Sequence, residues 1–178
     1  MNTLIRTLIV TGVAAFIGAL LSALFLRRKT VKPLTQPISS YITGSYGWLT
    51  SLGFAALMGS LLLLAHWAPG PLWTWHLPLW SAAVALMGVV GTKWAQLDSG
   101  SSTLYADFED AHLLSAAIAF GALTFAELHS PLGLGFVWAP WAAIILAVGF
   151  TLLKSSQTTL LEWSYTALIL TWFGCLLR

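Results

Sequence analysis

The longest apolar segment is the feature that most constrains the fold of this chain. Residues 4–26 form a run of about 23 residues in which Arg6 is the only charged side chain. An α-helix needs about 20 predominantly apolar residues to cross the hydrocarbon core of a bilayer. The run is too long for the apolar part of a secretory signal, and it continues directly into Arg27, Arg28 and Lys29. The pattern predicts a retained transmembrane helix.

Five further segments are similarly apolar, and together with the first they predict a six-helix fold. Only 8% of the 178 residues are charged and 58% are hydrophobic, whereas a soluble domain has about a quarter charged residues. A chain with so few charges has too little polar surface to face water and belongs in lipid. We therefore predict an all-α fold, a single integral membrane bundle of six transmembrane helices, with spans at about 4–26, 46–67, 77–94, 111–128, 137–153 and 160–177.

The distribution of basic residues predicts the orientation of the bundle. In the six-span topology the basic residues on one side of the membrane are Arg27, Arg28, Lys29, Lys32, Lys93 and Lys154, and those on the other side are Arg6 and Arg178. Because Lys and Arg are enriched in cytoplasmic loops, the larger group marks the cytoplasmic face, and both termini are expected outside the cytoplasm. Nine of the ten tryptophans fall at predicted span ends, where an amphipathic ring meets the membrane–water interface.

Most acidic residues lie on the predicted cytoplasmic face. They are Asp98, Asp107, Glu109, Asp110 and Glu162, with His112 beside them at the start of the fourth span. Asp107, Glu109 and His112 are candidate ligands of a divalent metal ion. Asp98, Asp110 and His112 are candidate catalytic residues of a carboxylate–histidine acid–base pair. The alternative is structural, because acidic residues at a helix N-terminus stabilise the helix dipole and cap free N–H groups.

A second group of metal-ligating side chains is predicted on the extracytoplasmic side. It consists of His66, His76, Glu127 and His129. These side chains are candidate zinc or copper ligands, and His66 with His129 are candidate axial ligands of a haem. The alternative is that the histidines are interfacial residues that bind nothing. Glu127 lies at the edge of the apolar zone, so it is either an intramembrane functional residue or a side chain that extends to the headgroups.

Small residues recur at helical spacing and predict close helix packing. The sets are Ala14 with Gly18 and Ser22, Gly53 with Ala56, Ala85 with Gly88, and Ala143 with Ala147. Such residues let helix backbones approach each other in lipid. The contacts are expected within this chain, and the alternative is an interface with another integral membrane subunit.

Three short motifs resemble a known family. The second predicted span opens with Pro37-Ile38-Ser39-Ser40-Tyr41 followed by Gly44-Ser45-Tyr46-Gly47-Trp48. The fourth opens with Glu109-Asp110-Ala111-His112, which Asp98 precedes. The sixth opens with Leu161-Glu162-Trp163. The chain thereby resembles the prokaryotic membrane family catalogued as domain of unknown function 998, which is distantly similar to the Frag/DRAM/Sfk group. The resemblance implies six helices, a prokaryotic inner membrane and a role for Asp98 and His112.

Several function classes are disfavoured. No charge lies in the middle of a predicted span, which argues against an ion-driven transporter, and no nucleophile elbow, P-loop or dinucleotide motif is present. The single cysteine, Cys175, excludes a disulfide within one chain. We expect an accessory or scaffold component that binds membrane lipids or a partner membrane subunit, and no nucleic acid. The alternatives are a membrane enzyme acting on a lipid headgroup at the cytoplasmic face and an outer-face binder of metal or haem.

Overall fold

The described part of the chain is entirely helical. The computed structural model describes residues 3–27, 36–67, 76–98, 102–129 and 155–176. Within these ranges there are five α-helices, one short 3₁₀ helix and no β-strand. They are α1 (Thr3–Leu26), the 3₁₀ helix (Ile38–Ile42), α2 (Gly47–Trp67), α3 (Leu77–Asp98), α4 (Ser102–His129) and α5 (Ser155–Leu176). The all-α prediction is confirmed for these residues.

Four of the described helices are long and apolar enough to cross a membrane. They are α1, α2, α3 over Leu77–Leu97, and α4 over Asp107–His129. Helix α5 lies where the sixth span is predicted. The predicted fifth span, at 137–153, lies outside the described residues.

The connection between the third and fourth helices is shorter than the predicted cytoplasmic loop. Helix α3 continues to Asp98 and α4 begins at Ser102, so three residues separate the two helices where sixteen were expected. The prediction ended each helix where apolar residues end. Backbone hydrogen bonds do not depend on side-chain polarity, so a helix continues beyond the apolar zone until a turn interrupts it. Helix α5 likewise begins at Ser155, five residues before the expected start at 160.

Close backbone approaches hold α1 against α2 and α3 against α4. A Cβ atom on Gly53 would lie 2.7 Å from the Cβ of Ala19, and one on Gly88 would lie 2.6 Å from the Ser115 hydroxyl oxygen. Packing within the chain is therefore confirmed at these two glycines. Gly18 has no neighbour within 4 Å of such an atom and faces outwards. The partner-subunit alternative stays a prediction there, and Ala143 and Ala147 lie outside the described residues.

The outer surface of the bundle is apolar as well as its core. Leu21, Val84 and Met87 are among the large hydrophobic side chains that are more than half exposed. Most of the core is one large cluster of aliphatic and aromatic side chains, to which all five α-helices contribute. Apolar side chains on both the inside and the outside are typical of a helix bundle surrounded by lipid.

The 3₁₀ helix closes one end of the bundle. It contacts α2, α3 and α5, and Tyr41 and Ile42 within it are fully buried. Gly44 has a φ of 94°, a left-handed conformation that favours glycine, and its carbonyl oxygen accepts a hydrogen bond from the N–H of Gly47. This turn lets the chain leave the 3₁₀ helix and enter α2 at once.

Candidate functional site

The carboxyl group of Glu162 binds the start of the 3₁₀ helix. The N–H of Ile38 donates to Glu162 Oε2 over 3.0 Å. The first N–H groups of any helix have no partner inside the helix. A side chain from α5, more than 120 residues away in sequence, therefore satisfies the free end of the 3₁₀ helix.

His112 connects the same segment to α3 and α4. Its Nε2 atom lies 3.1 Å from the hydroxyl oxygen of Ser39. Its Nδ1 atom lies 3.2 Å from the carbonyl oxygen of Val89 and 3.2 Å from the hydroxyl oxygen of Thr92. His112 is 4% exposed and Ser39 is 6% exposed. The imidazole therefore makes all its described hydrogen bonds inside the protein.

A carbonyl oxygen cannot donate, and this determines which nitrogen of His112 carries the proton. The Val89 carbonyl requires the proton on Nδ1 of a neutral imidazole. The Nε2 atom then has a free lone pair, and the Ser39 hydroxyl donates to it. The arrangement is a serine hydroxyl hydrogen-bonded to a histidine whose second nitrogen is oriented by a backbone carbonyl.

A narrow cavity extends from this polar cluster into the apolar core. Its volume is about 70 Å³, and the cleft to which it belongs contains about 660 Å³ of space not occupied by atoms, its mouth included. All five α-helices line it, mostly with apolar side chains that include Phe16, Phe54, Leu86, Phe120 and Ile169. Tyr165 and Thr166 on α5 also line it. Ser39, His112 and Glu162 supply the polar groups where the lining meets the 3₁₀ helix.

An ion pair lies beside the polar cluster. Lys93 Nζ lies 3.0 Å from Glu109 Oε2, and the Gln96 amide nitrogen donates to the same oxygen over 2.6 Å. Glu109 and His112 are three positions apart on α4, and both bond to residues of α3. Their partners differ, however, because Glu109 binds Lys93 and Gln96 whereas His112 binds Ser39, Thr92 and Val89. The two side chains stabilise the same helix contact separately.

Arg27 binds the C-terminal end of the 3₁₀ helix. Its Nη1 atom donates to the Thr43 carbonyl oxygen over 2.8 Å, and its guanidinium lies 5.8 Å from the centroid of the Tyr41 ring. Burial raises the pKa of Tyr41 above its usual value, and the opposing effect of the Arg27 charge is smaller. The phenol is thus neutral at physiological pH.

The remaining candidates on this face are dispersed. Asp107 and Asp110 are exposed on α4, and Asp98 is the last residue of α3, with a side chain outside the described part of the structure. Among the described residues, no three His, Cys, Asp or Glu side chains come close enough to share a metal ion. The inner metal site and the pairing of Asp98 or Asp110 with His112 stay predictions.

The three histidines on the opposite side make separate local contacts. His66 is exposed and its ring packs edge-on against Trp67 at 5.2 Å between centroids. His129 is exposed, binds the Phe125 carbonyl oxygen over 2.8 Å and stacks on the Phe125 ring. His76 is buried, with Nδ1 against the carbonyl oxygen of Ala65. The prediction of a metal or haem at these histidines gains no geometric support from the described contacts.

Glu127 is buried rather than extended towards the surface. It is 1% exposed and lies close enough to Tyr165 to interact with it electrostatically. Tyr165 in turn donates to the Phe120 carbonyl oxygen over 2.7 Å and lies 2.8 Å from the Thr124 hydroxyl oxygen. The burial disfavours the interpretation of Glu127 as a side chain that extends to the headgroups, and a functional role for it stays a prediction.

Two residues of this site were not predicted to be functional from the sequence. Ser39 and Thr92 are small hydroxyl residues in segments with no catalytic signature, and their importance comes from contact with His112. The one available signal was the position of Ser39 inside the motif 37–41 that carries the family resemblance.

Comparison of the chain with protein-family models, with curated proteins and with solved structures found no match.

Proposed function

We propose that this protein is an integral membrane protein that binds an amphipathic lipid inside its helix bundle. A short part of the lipid's apolar chain occupies the cavity of about 70 Å³, and its polar group lies against Ser39, His112 and Glu162. The observation that carries the proposal is a mostly apolar cavity whose lining includes Ser39, His112 and Glu162, which meet at the 3₁₀ helix.

The shape and chemistry of the cavity suit an amphiphile better than a polar solute. Along α4 the lining extends from His112 to Leu123, a rise of about 16 Å at 1.5 Å per residue. Ligand pockets are mostly apolar, with a few polar groups that orient the ligand. Transfer of apolar surface into such a pocket contributes roughly 25 cal/mol per Å² removed from water. A polar ligand would gain little from this lining and would lose its hydration.

The proposal includes the topology that the sequence predicts. Six spans place the Arg27 side, the 3₁₀ helix and the polar cluster at the cytoplasmic face of a prokaryotic inner membrane, with both termini outside. The support is the positive-inside distribution of basic residues, together with four described helices long enough to span. The resemblance to the domain of unknown function 998 family agrees with this count.

Lipid binding is tested by photo-crosslinking with a fatty acid that carries a diazirine in its chain. The full-length protein in detergent or nanodiscs should give crosslinked peptides from α4 and α5 that line the cavity. The substitution Ala119→Phe places a ring in the cavity, because Ala119 is fully buried and lines it. The matched control is Ala117→Phe, which adds the same ring at an exposed position on the same helix.

The expected result is loss of cavity crosslinks in Ala119→Phe and their retention in Ala117→Phe. If Ala119→Phe fails to fold, the smaller substitution Ala119→Leu replaces it. Crosslinks confined to the outer surface of the wild-type bundle would contradict the proposal.

Orientation is tested by labelling single cysteines in intact cells. In a Cys175→Ser background, cysteines replace Ser45 and His129, two exposed residues at opposite ends of the described bundle. A membrane-impermeant maleimide should label the cysteine at position 129 and spare that at position 45 until the membrane is permeabilised. The reverse pattern would refute the cytoplasmic placement of the polar cluster.

A further inference from the structure

We propose that Ser39 and His112 form a nucleophile–base pair that cleaves the carboxylic ester of an acyl lipid held in the cavity. The inference rests on the proposed lipid binding and adds a reaction to it. Its starting point is the juxtaposition of a serine hydroxyl, a histidine base and an apolar cavity.

The protonation state of the pair is the one that a serine nucleophile requires. The Val89 carbonyl holds the proton on His112 Nδ1, so the free lone pair of Nε2 faces the Ser39 hydroxyl at 3.1 Å. A histidine in this tautomer removes the hydroxyl proton as the oxygen attacks. A backbone carbonyl here has the orienting role that a third side chain has in the familiar serine triads.

The position of the pair selects the substrate class. Both side chains line the cavity at its polar end, and both are buried, so the bond to be cleaved must lie where an acyl chain meets its polar group. That bond in an acyl lipid is the carboxylic ester. Exclusion of bulk water strengthens the Ser39–His112 hydrogen bond, because the local dielectric is low.

The reaction balances with water as the second substrate. The Ser39 oxygen forms a bond to the ester carbonyl carbon while its proton moves to His112 Nε2. The bond between that carbon and the alkoxy oxygen then breaks, and the proton passes from Nε2 to the departing alcohol. Water, deprotonated by the same nitrogen, attacks the acyl-serine and releases the fatty acid together with the free Ser39 hydroxyl.

The Glu162 carboxyl occupies a backbone hydrogen-bond donor that the reaction would need. The N–H of Ile38, the residue before Ser39, donates to the Glu162 carboxyl. A developing oxyanion needs such a donor. For this N–H to stabilise the oxyanion, the carboxyl has to release it when the ester binds.

The test uses the full-length protein in nanodiscs and an alkyl fluorophosphonate with a long alkyl chain, which modifies activated serines. Mass spectrometry should find the adduct on Ser39. Replacement of His112 by Ala should slow labelling by about 100-fold or more, the contribution expected of a general base. Ser40→Ala is the matched control, because the Ser40 hydroxyl bonds to the Pro37 carbonyl oxygen.

The outcomes separate this inference from the proposed function. Ser39→Ala should abolish labelling while the variant keeps the circular-dichroism spectrum of the wild-type helical bundle, which shows that it folds. Crosslinks in the wild type without an adduct on Ser39 would overturn the inference and leave lipid binding standing. An adduct whose rate is the same in His112→Ala would overturn the role of His112. Absence of cavity crosslinks in the wild type would overturn the proposed function itself.

Discussion

The hydroxyl oxygen of Ser39 and the Nε2 atom of His112 lie 3.1 Å apart, although 73 positions separate the residues in sequence. The contact exists because the 3₁₀ helix packs against one end of the bundle, where Ser39 reaches His112 on α4. Glu162 on α5 binds the backbone of the same segment. Three separate parts of the chain thus meet at one end of an apolar cavity, and the stability of this junction is open to direct test.

The contact between α1 and α2 should tolerate no side chain at Gly12. A Cβ atom there would collide with the Ser60 hydroxyl oxygen and lie 2.8 Å from the Ala56 carbonyl oxygen, and the backbone oxygen cannot rotate away. Gly12→Ala should lower the free energy of unfolding by about 1–3 kcal/mol. Equilibrium unfolding in mixed micelles measures the change. Gly18→Ala on the same helix meets nothing within 4 Å and should be neutral or slightly stabilising; equal losses in the two variants would contradict this account.

Two buried tyrosines should respond in opposite directions to loss of the hydroxyl group. Among the described residues the Tyr41 hydroxyl has no hydrogen-bond partner, whereas that of Tyr165 lies 2.7 Å from the Phe120 carbonyl oxygen and 2.8 Å from the Thr124 hydroxyl oxygen. Because an unpaired buried polar group costs about 1–3 kcal/mol, Tyr41→Phe should raise the melting temperature. Tyr165→Phe should lower it. A destabilised Tyr41→Phe variant would show that this hydroxyl has a partner after all.

Removal of the Glu162 carboxyl should loosen the 3₁₀ helix. Glu162→Ala leaves the N–H group of Ile38 without its acceptor. Hydrogen–deuterium exchange of peptides that cover residues 36–46 should therefore become at least about tenfold faster, equivalent to roughly 1.4 kcal/mol of lost local stability. Glu109→Ala removes a carboxyl that bonds to α3 instead and should leave this exchange unchanged. Similar acceleration in both variants would indicate general loosening of the bundle.

The turn after the 3₁₀ helix should depend on glycine at position 44. Its φ of 94° is strained for any residue with a Cβ atom, and that atom would also lie 3.2 Å from Arg27 Nη2. Gly44→Ala should cost about 1–3 kcal/mol of unfolding free energy. The neighbouring exposed Ser45 is the control, since Ser45→Ala should have little effect on the melting temperature.

The helical spans were predictable because their signal is local. The observed bounds of α1 and α2 lie within one residue of the predicted spans, since each helix is apolar almost to its ends. In the described part of the chain, the predicted bounds fail where polar residues continue a helix, as in α3 after Trp94 and α4 before Ala111. His112 was identified as a candidate, but its partners Ser39, Thr92 and Val89 were not, because they come from two other segments of the chain.

The amino-acid sequence by itself determined that the chain forms long apolar helices, because a backbone in lipid must satisfy its hydrogen bonds within the same segment. It also determined the uneven distribution of positive charge that indicates an orientation. Only the tertiary structure decided that Ser39 meets His112, that Glu162 binds the N–H of Ile38, and that these groups border one cavity. Such contacts depend on how helices rotate and pack against each other, which is a property of the whole bundle and of no single segment.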